Sequence, residues 1–248
     1  MYLPERLTDM KKMLFLLLAA AIILSLNSCL RFKDDEMPTF SGSFTGKVTD
    51  ISGNSLLLVP WSTEGDKVAE NGLYIAFTDS ADEISAGSIV NVGYSGLTLE
   101  TYPAQLAGVK IVEVVGRSDN ITGLYVKLFS DLWDEDTSLN DGVAMLAFDL
   151  SHCSNLTEGE KSAVMYLCGL KLGVNDVFAG TLEELIQNGL VDRDRLYFET
   201  GVLFTVEDTI FEEGSFSFSA EKWRGDLKSS SYNGCRAQLV DSEWVYSR

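Results

Sequence analysis

Hydrophobic residues in the first half of the chain occur in short runs separated by turn residues, a pattern typical of β-strands. Gly53-Asn54 is one such turn signal. The runs predict five strands, at residues 43–50, 55–60, 73–78, 88–94 and 110–115. Five short strands joined by turns indicate a small closed or sandwiched sheet over residues 41–116, and we expect its common form, an OB-like β-barrel.

Residues 120–248 show a different pattern, in which helices come first. Leu124, Leu128 and Leu132 follow the four-residue spacing of an amphipathic helix. Thr157 and Thr181 each stand three residues before a glutamate, the spacing of a capping box, and so predict two further helix starts. Strand-like runs accompany these helices at residues 143–150, 195–199, 201–207, 215–220, 236–240 and 244–246.

This order of elements predicts an α+β domain whose helices pack on an antiparallel sheet. The expected fold class is therefore α+β overall. It consists of a five-stranded OB-like barrel over residues 41–116, followed by an α+β domain over residues 120–248.

The first 28 residues have the features of a targeting segment. Lys11 and Lys12 precede an apolar run at residues 13–24. A helix of that length spans about 18 Å, short of the ~30 Å hydrocarbon core, so the run predicts a secretory signal and not a membrane span. Residues before Met10 fit no part of a signal, which leaves Met1 and Met10 open as translation starts. Residues 29–40 are expected to be a tether.

The signal ends in Leu26-Asn27-Ser28-Cys29, which resembles the lipobox of bacterial lipoproteins. The resemblance implies cleavage before Cys29, diacylglycerol on its thiol and acylation of the new amino terminus. Each buried CH₂ adds ~0.8 kcal/mol of anchoring, so two or three chains hold a protein durably. We expect a lipid-anchored protein on the extracytoplasmic side of the cell membrane. An ordinary secretory signal with an incidental cysteine is the alternative.

Both halves also resemble domains of exported proteins. Residues 44–48, 54–58, 86–92 and 101–106, above all Tyr102-Pro103-Ala104-Gln105, are similar to the small β-barrel domain of YobA-like lipoproteins. The second half resembles an uncharacterised domain of exported Gram-positive proteins, through residues 124–127, 131–133, 148–151 and 221–224. Neither resemblance implies catalytic residues or a cofactor.

Charge limits the classes of partner. The chain carries 37 acidic and 19 basic side chains, a net charge of −18. Without residues 1–28 the counts become 35 and 16, a net charge of −19. Such a surface repels phosphate, which excludes nucleic acid as a partner. It should also hold the folded body away from anionic lipid headgroups.

One basic segment and one acidic segment are candidate sites. Lys222-Trp223-Arg224 is the densest basic patch, with Arg193 and Arg195 elsewhere, and is a candidate for anion binding. Pairing of these cations with acidic residues of the same chain is the alternative.

The acidic segment lies between residues 131 and 141. Asp134, Asp136 and Asp141 are candidate Ca²⁺ ligands, because Ca²⁺ takes oxygen ligands from loops. An EF-hand does not fit, since Leu139 stands where that loop needs glycine and Met145 where it needs glutamate. A solvated acidic loop is the alternative.

Three cysteines remain if Cys29 carries lipid. Cys153 and Cys235 are candidates for a disulfide, which is permitted outside the membrane, with the reduced state as the alternative. Cys168 is expected to be a buried thiol. His152 is the only histidine, and beside Cys153 on an extended segment it should point the opposite way, so a Cys/His nucleophile pair is not expected.

These features together predict a function class but no ligand. Two modules, a lipid anchor and the lack of an assembled catalytic group in the sequence favour a binding or interaction module, with another envelope protein as candidate partner. The alternative is a cell-envelope hydrolase that uses carboxylates or Ca²⁺.

Overall fold

Two mixed β-sheets and three α-helices make up the described part of the chain. The computed structural model describes residues 42–61, 72–79, 81, 84–226 and 228–248. The predicted signal, the tether and the lipidation site Cys29 lie outside the described residues. None of the described helices is long and apolar enough to cross a membrane.

The first sheet has seven strands in the order β5-β6-β3-β2-β1-β4-β7. All neighbours are antiparallel except β3 and β6, which are parallel. The strands are β1 (Gly42–Ser52), β2 (Ser55–Pro60), β3 (Tyr74–Phe77), β4 (Ser88–Tyr94), β5 (Thr98–Leu99), β6 (Ala104–Leu106) and β7 (Ile111–Arg117).

The predicted five-stranded OB-like barrel is wrong. The five expected strands are present, but β5 and β6 are added and the sheet does not close. To close the barrel, β7 would have to reach the outer edge of β3. That edge is occupied by β6, while β7 pairs with β4. Strands of two and three residues are too short for an alternating pattern, so the sequence did not reveal them.

Strand β2 explains how the first sheet packs on the rest of the protein. Its apolar residues form an unbroken run because both of its faces are buried. Leu56 and Leu58 point into the core of the sheet itself, whereas Leu57 and Val59 pack with Ala163 of a helix in the second half. A strand with one solvent-exposed face would have shown polar residues at alternate positions.

The second half contains helices α1 (Ile121–Glu135), α2 (Glu158–Leu172) and α3 (Leu182–Gln187), with a 3₁₀ turn at Thr137–Asn140. Its six-stranded sheet has the order β13-β12-β11-β10-β8-β9. The strands are β8 (Met145–Asp149), β9 (Asp176–Ala179), β10 (Gly201–Asp208), β11 (Ser215–Gly225), β12 (Lys228–Val240) and β13 (Glu243–Ser247).

The expected antiparallel sheet is also wrong, because β8 pairs in parallel with both β9 and β10. The chain leaves β8, forms α2 and returns as β9, and a helical crossover of this kind brings the second strand back in the same direction. The strand expected at residues 195–199 is a turn in which Tyr197 makes only isolated bridges. The described chain is thus mostly β, with two mixed sheets, and not the predicted α+β arrangement.

Both predicted capping boxes are confirmed. The Thr157 hydroxyl accepts from the Glu160 N–H, and the Glu160 carboxylate accepts from the Thr157 N–H. Thr181 and Glu184 repeat this exchange at the start of α3. Each box satisfies N–H groups that a helix start otherwise leaves unpaired.

The second sheet is covered by helices on both faces. The α1 stripe, with Leu128 and Phe129 fully buried, and α2 pack on one face against Phe148 and Phe204. Helix α3 covers the other face, where Leu185 packs against Ala147. The alternation of Ala147 and Phe148 between the two faces follows from the two-residue period of a strand.

A buried ion pair joins the two halves. Lys47 of β1 donates to the Glu160 carboxylate at 2.7 Å and lies 3.4 Å from Asp119. Glu160 is also the capping residue of α2, and Asp119 accepts the N–H of Ile121 at the start of α1. One ammonium group on the first sheet therefore contacts the N-terminal ends of both long helices.

Candidate functional site

The predicted basic patch is divided between the two faces of β11. Lys222 and Arg224 lie two residues apart, so they point to the same face, and both are buried. Trp223 points to the opposite face and packs beside α3. Arg193 and Arg195 are exposed and pair with Glu183 and Asp192. The structure therefore does not bring these cations together as a surface for an anion.

Lys222 is bound by the loop that follows α1. Its Nζ donates to the carbonyl oxygens of Trp133 at 2.9 Å and Asp136 at 2.8 Å, and to Asn140 Oδ1 at 3.1 Å. These three acceptors match the three donors of an ammonium group. Burial lowers the pKa of Lys222 to about 8, while the nearby carboxylates, Asp136 first, raise it.

Arg224 binds the next part of the same loop. One of its terminal nitrogens donates to the carbonyl oxygens of Leu139 and Asp141, each at 2.7 Å, and the other donates to Glu199 O at 2.9 Å. Peptide carbonyls that could have served as calcium ligands thus accept hydrogen bonds from side chains of β11.

The candidate calcium residues do not converge. Asp136 caps the 3₁₀ turn by accepting from the Ser138 N–H and hydroxyl, and these bonds lower its pKa. Asp134 and Asp141 are exposed. Within the described ranges, no group of three or more His, Cys, Asp or Glu side chains is placed to hold a metal ion.

The other acidic residues of α1 bind the end of the chain. Asp131 accepts from the Tyr246 hydroxyl and from Lys127. Glu135 accepts from the Tyr232 hydroxyl and from Arg248. The bonds from Tyr232 and Arg248 lower the pKa of Glu135. These contacts attach β12 and β13 to the helix.

Cys153, Cys168 and Cys235 are buried free thiols in the structure. Cys153 donates to Asp208 Oδ2 at 3.2 Å and is not bonded to Cys235. The Tyr125 hydroxyl donates to the same carboxylate oxygen, and the Ser154 N–H donates to Oδ1. His152 is exposed beside the buried Cys153, so the two side chains point apart.

Burial raises the pKa of the Cys153 and Cys168 thiols to about 12. At pH 8 only about one in ten thousand of these thiols would be ionised, and the thiolate is the reactive form. Iodoacetamide should therefore leave Cys153, Cys168 and Cys235 unmodified in the folded protein and alkylate all three in urea without reductant, as read by peptide mass spectrometry. Rapid labelling of Cys153 in the folded state, or a need for reductant at Cys235, would contradict this.

Sequence reasoning missed a cleft between α2 and the outer edge of β9, here called the α2–β9 cleft. Its apolar part has a volume of about 400 Å³ and is lined mainly by Tyr102, Met165, Tyr166, Leu170, Val174 and Val177. Gly169 permits the close approach of helix and strand, because a Cβ there would lie 2.8 Å from Val177 Cγ2.

The polar part of the α2–β9 cleft lies beside the carboxyl ends of β8 and β9. It has a volume of about 620 Å³ and shares Met165 and Ala179 with the apolar part. Its charged residues are Asp149, Glu158, Glu184 and Lys161. Crevices at the carboxyl ends of parallel strands are common ligand sites in α/β sheets.

Two large side chains expose apolar area at this cleft. Leu170 is 61% exposed although it lies on a packed helix, and Tyr102 is 69% exposed. The Tyr102 and Tyr166 rings meet edge to face at 6.1 Å. The signal that could have revealed the cleft is the short segment at residues 174–179, between Gly173 and Gly180, which contains β9.

Comparison with known proteins shows a weak structural similarity but no matching family. No protein-family model matches the sequence, and no curated protein matches it. Among solved structures, a domain of Bacillus subtilis YobA is similar at 15% sequence identity and a TM-score of 0.26. The match covers 35% of this chain and 92% of the YobA domain. The chain is thus weakly similar in structure to the YobA domain, and this similarity carries no argument about function.

Proposed function

We propose that this chain is a lipid-anchored binding module on the extracytoplasmic side of the cell membrane, and that the α2–β9 cleft is its binding face. The lipobox-like segment ending at Cys29 supports the anchor. Acyl chains would supply the membrane attachment, since a body of net charge −19 is repelled by anionic headgroups.

The observation that carries the binding role is the apolar surface exposed in the α2–β9 cleft. Leu170 and Tyr102 present large side chains to solvent on the rim of a concave surface. Apolar area of this kind contributes about 25 cal/mol per Å² when a partner removes it from water. Concave apolar surfaces with polar rims are typical of interaction sites.

The partner proposed is another envelope protein, and no nucleic acid is involved because the surface is strongly acidic. No observation favours the alternative of a carboxylate- or Ca²⁺-dependent hydrolase. The carbonyl oxygens of Asp136 and Asp141 accept from Lys222 and Arg224, and the described residues place no group of three or more His, Cys, Asp or Glu side chains to hold a metal ion.

Purification of the tagged full chain from native membranes tests both parts of this proposal. Cys29→Ala should move the protein to the soluble fraction and abolish labelling by a palmitate analogue. Leu170→Asp should stay in the membrane but lose its co-purifying protein, because a charge in place of an apolar contact residue costs upwards of about 2 kcal/mol, or ~30-fold in affinity.

Ile210→Asp is the matched control, since Ile210 is 69% exposed and does not line the cleft. It should retain the partner. Unchanged membrane fractionation and labelling of Cys29→Ala would contradict the anchor. An unchanged set of partners with Leu170→Asp would contradict the binding face.

A further inference from the structure

We propose that the α2–β9 cleft binds an extended, basic segment of its partner, which adds as a further strand to the free edge of β9. This inference rests on the proposed function, because it assumes that the cleft is the binding face. It adds the conformation and the charge of what is bound.

The first argument is the unpaired edge of β9. This strand ends the six-stranded sheet, with β8 on one side and no described strand on the other. The Gly180 N–H donates to Phe148 O of β8 at 3.0 Å. Backbone groups of successive strand residues point in opposite directions, so Phe178 also faces β8 whereas Val177 and Ala179 face outwards. An outward row of N–H and C=O groups is a template for strand addition.

The second argument is the apolar wall beside that edge. Leu170 of α2, Tyr102 from the connection between β5 and β6, and Val177 of β9 all line the apolar part of the cleft. A strand added to β9 would place alternate side chains towards this wall. Apolar residues at every second position of the added segment would therefore cover Leu170 and Tyr102.

The third argument is charge. Asp149, Glu158 and Glu184 line the polar part of the cleft, together with the single cation Lys161. Lys161 is already paired with Glu158 at 2.8 Å. The remaining carboxylates attract lysine or arginine and repel acidic side chains, and charge complementarity of this kind selects among partners. The partner segment is thus expected to carry apolar residues where it lies along the apolar part of the cleft and basic residues where it reaches the polar part.

Two peptide libraries test the proposal with the purified full chain. One contains nonapeptides with apolar residues in one half and lysine or arginine in the other half, in both orders, and the other replaces the basic residues with aspartate or glutamate. We expect at least tenfold greater recovery from the basic library. Amide hydrogen exchange at Val177 and Ala179 should slow when a recovered peptide is bound, because these N–H groups become donors to the new strand.

Three variants separate the contributions of the apolar wall, the β9 edge and the carboxylates. Leu170→Asp should abolish recovery. Ala179→Pro should reduce it at least tenfold, because proline removes an outward N–H and edge strands tolerate it. Asp149→Asn together with Glu184→Gln should weaken binding of basic peptides several-fold at low salt. Glutamine preserves the capping box at α3, so this double variant changes charge without removing the cap.

Equal recovery from the two libraries, or no recovery from either, would overturn the proposed partner chemistry. Slowed exchange elsewhere in the sheet but not at Val177 and Ala179 would overturn strand addition, and this readout needs no variant that has to fold. If the peptide libraries fail but Leu170→Asp still loses its partner in native membranes, the binding function stands and only the proposed partner chemistry is wrong. If Leu170→Asp also keeps its partner, both the binding function and the partner chemistry are wrong.

Discussion

Lys47→Met is expected to lower the free energy of unfolding by about 3–5 kcal/mol, because it leaves the buried carboxylate of Glu160 without its cation. The side chains of Lys47 and Glu160 are only 3% and 6% exposed, and their atoms are 2.7 Å apart. The loss also removes the contact with Asp119, so the starts of both long helices are affected. Urea denaturation at pH 7 measures the change.

Lys127→Met is the control, because it breaks a more exposed ion pair with Asp131 that should contribute less than about 1 kcal/mol. Glu160→Gln should reduce the cost of Lys47→Met when the two changes are combined, since glutamine leaves no buried charge and can still complete the capping box. Equal stability of Lys47→Met and Lys127→Met would show that the pair does not hold the two halves together.

Lys222→Met should destabilise the protein by about 2–4 kcal/mol at pH 7, because carbonyl oxygens of Trp133 and Asp136 lose a donor in a buried site. The difference in unfolding free energy between the wild type and Lys222→Met should grow as the pH rises from about 8 towards 10.5. These two values are the pKa of Lys222 in the folded protein and its ordinary pKa. In that range the unfolded chain binds a proton that the folded chain has lost, so the wild type gains stability with pH and the variant does not.

Urea denaturation of both proteins at pH 7, 9 and 10.5 isolates this contribution, since the other titrating groups are common to the pair. Lys228→Met serves as the control for removal of a lysine, because Lys228 is exposed and the loop carbonyls bind Lys222 instead. A deficit that shrinks between pH 8 and 10.5 would mean that Lys222 is not held with a lowered pKa.

Local patterns predicted local structure well. The capping boxes at Thr157 and Thr181 and the stripe of Leu124, Leu128 and Leu132 each depend on residues within one helix, and each is found in the structure. Sheet closure and strand direction depend on which distant strands meet. No property of β3 or β8 alone shows that β6 takes the edge of β3 or that β9 returns parallel to β8.

The candidate sites show the same contrast between local patterns and contacts of distant residues. The sequence marks Lys222 and Asp136 as candidate site residues. Their contact depends on the path of the chain from α1 to β8 and on the face of β11 that carries Lys222. The α2–β9 cleft was missed because Tyr102 and Leu170 lie far apart in sequence, and the segment that contains Tyr102 does not show what it packs beside. Exposed apolar side chains become visible as a surface only after folding.

Photo-crosslinking in intact cells is the most direct test of the central claim that the α2–β9 cleft is a binding face. A benzophenone amino acid placed at Leu170 should yield a discrete crosslinked species with another envelope protein. The same residue placed at Ile210, which is slightly more exposed than Leu170 and does not line the cleft, should not. The same crosslinked products from both positions, or none from Leu170, would contradict the account.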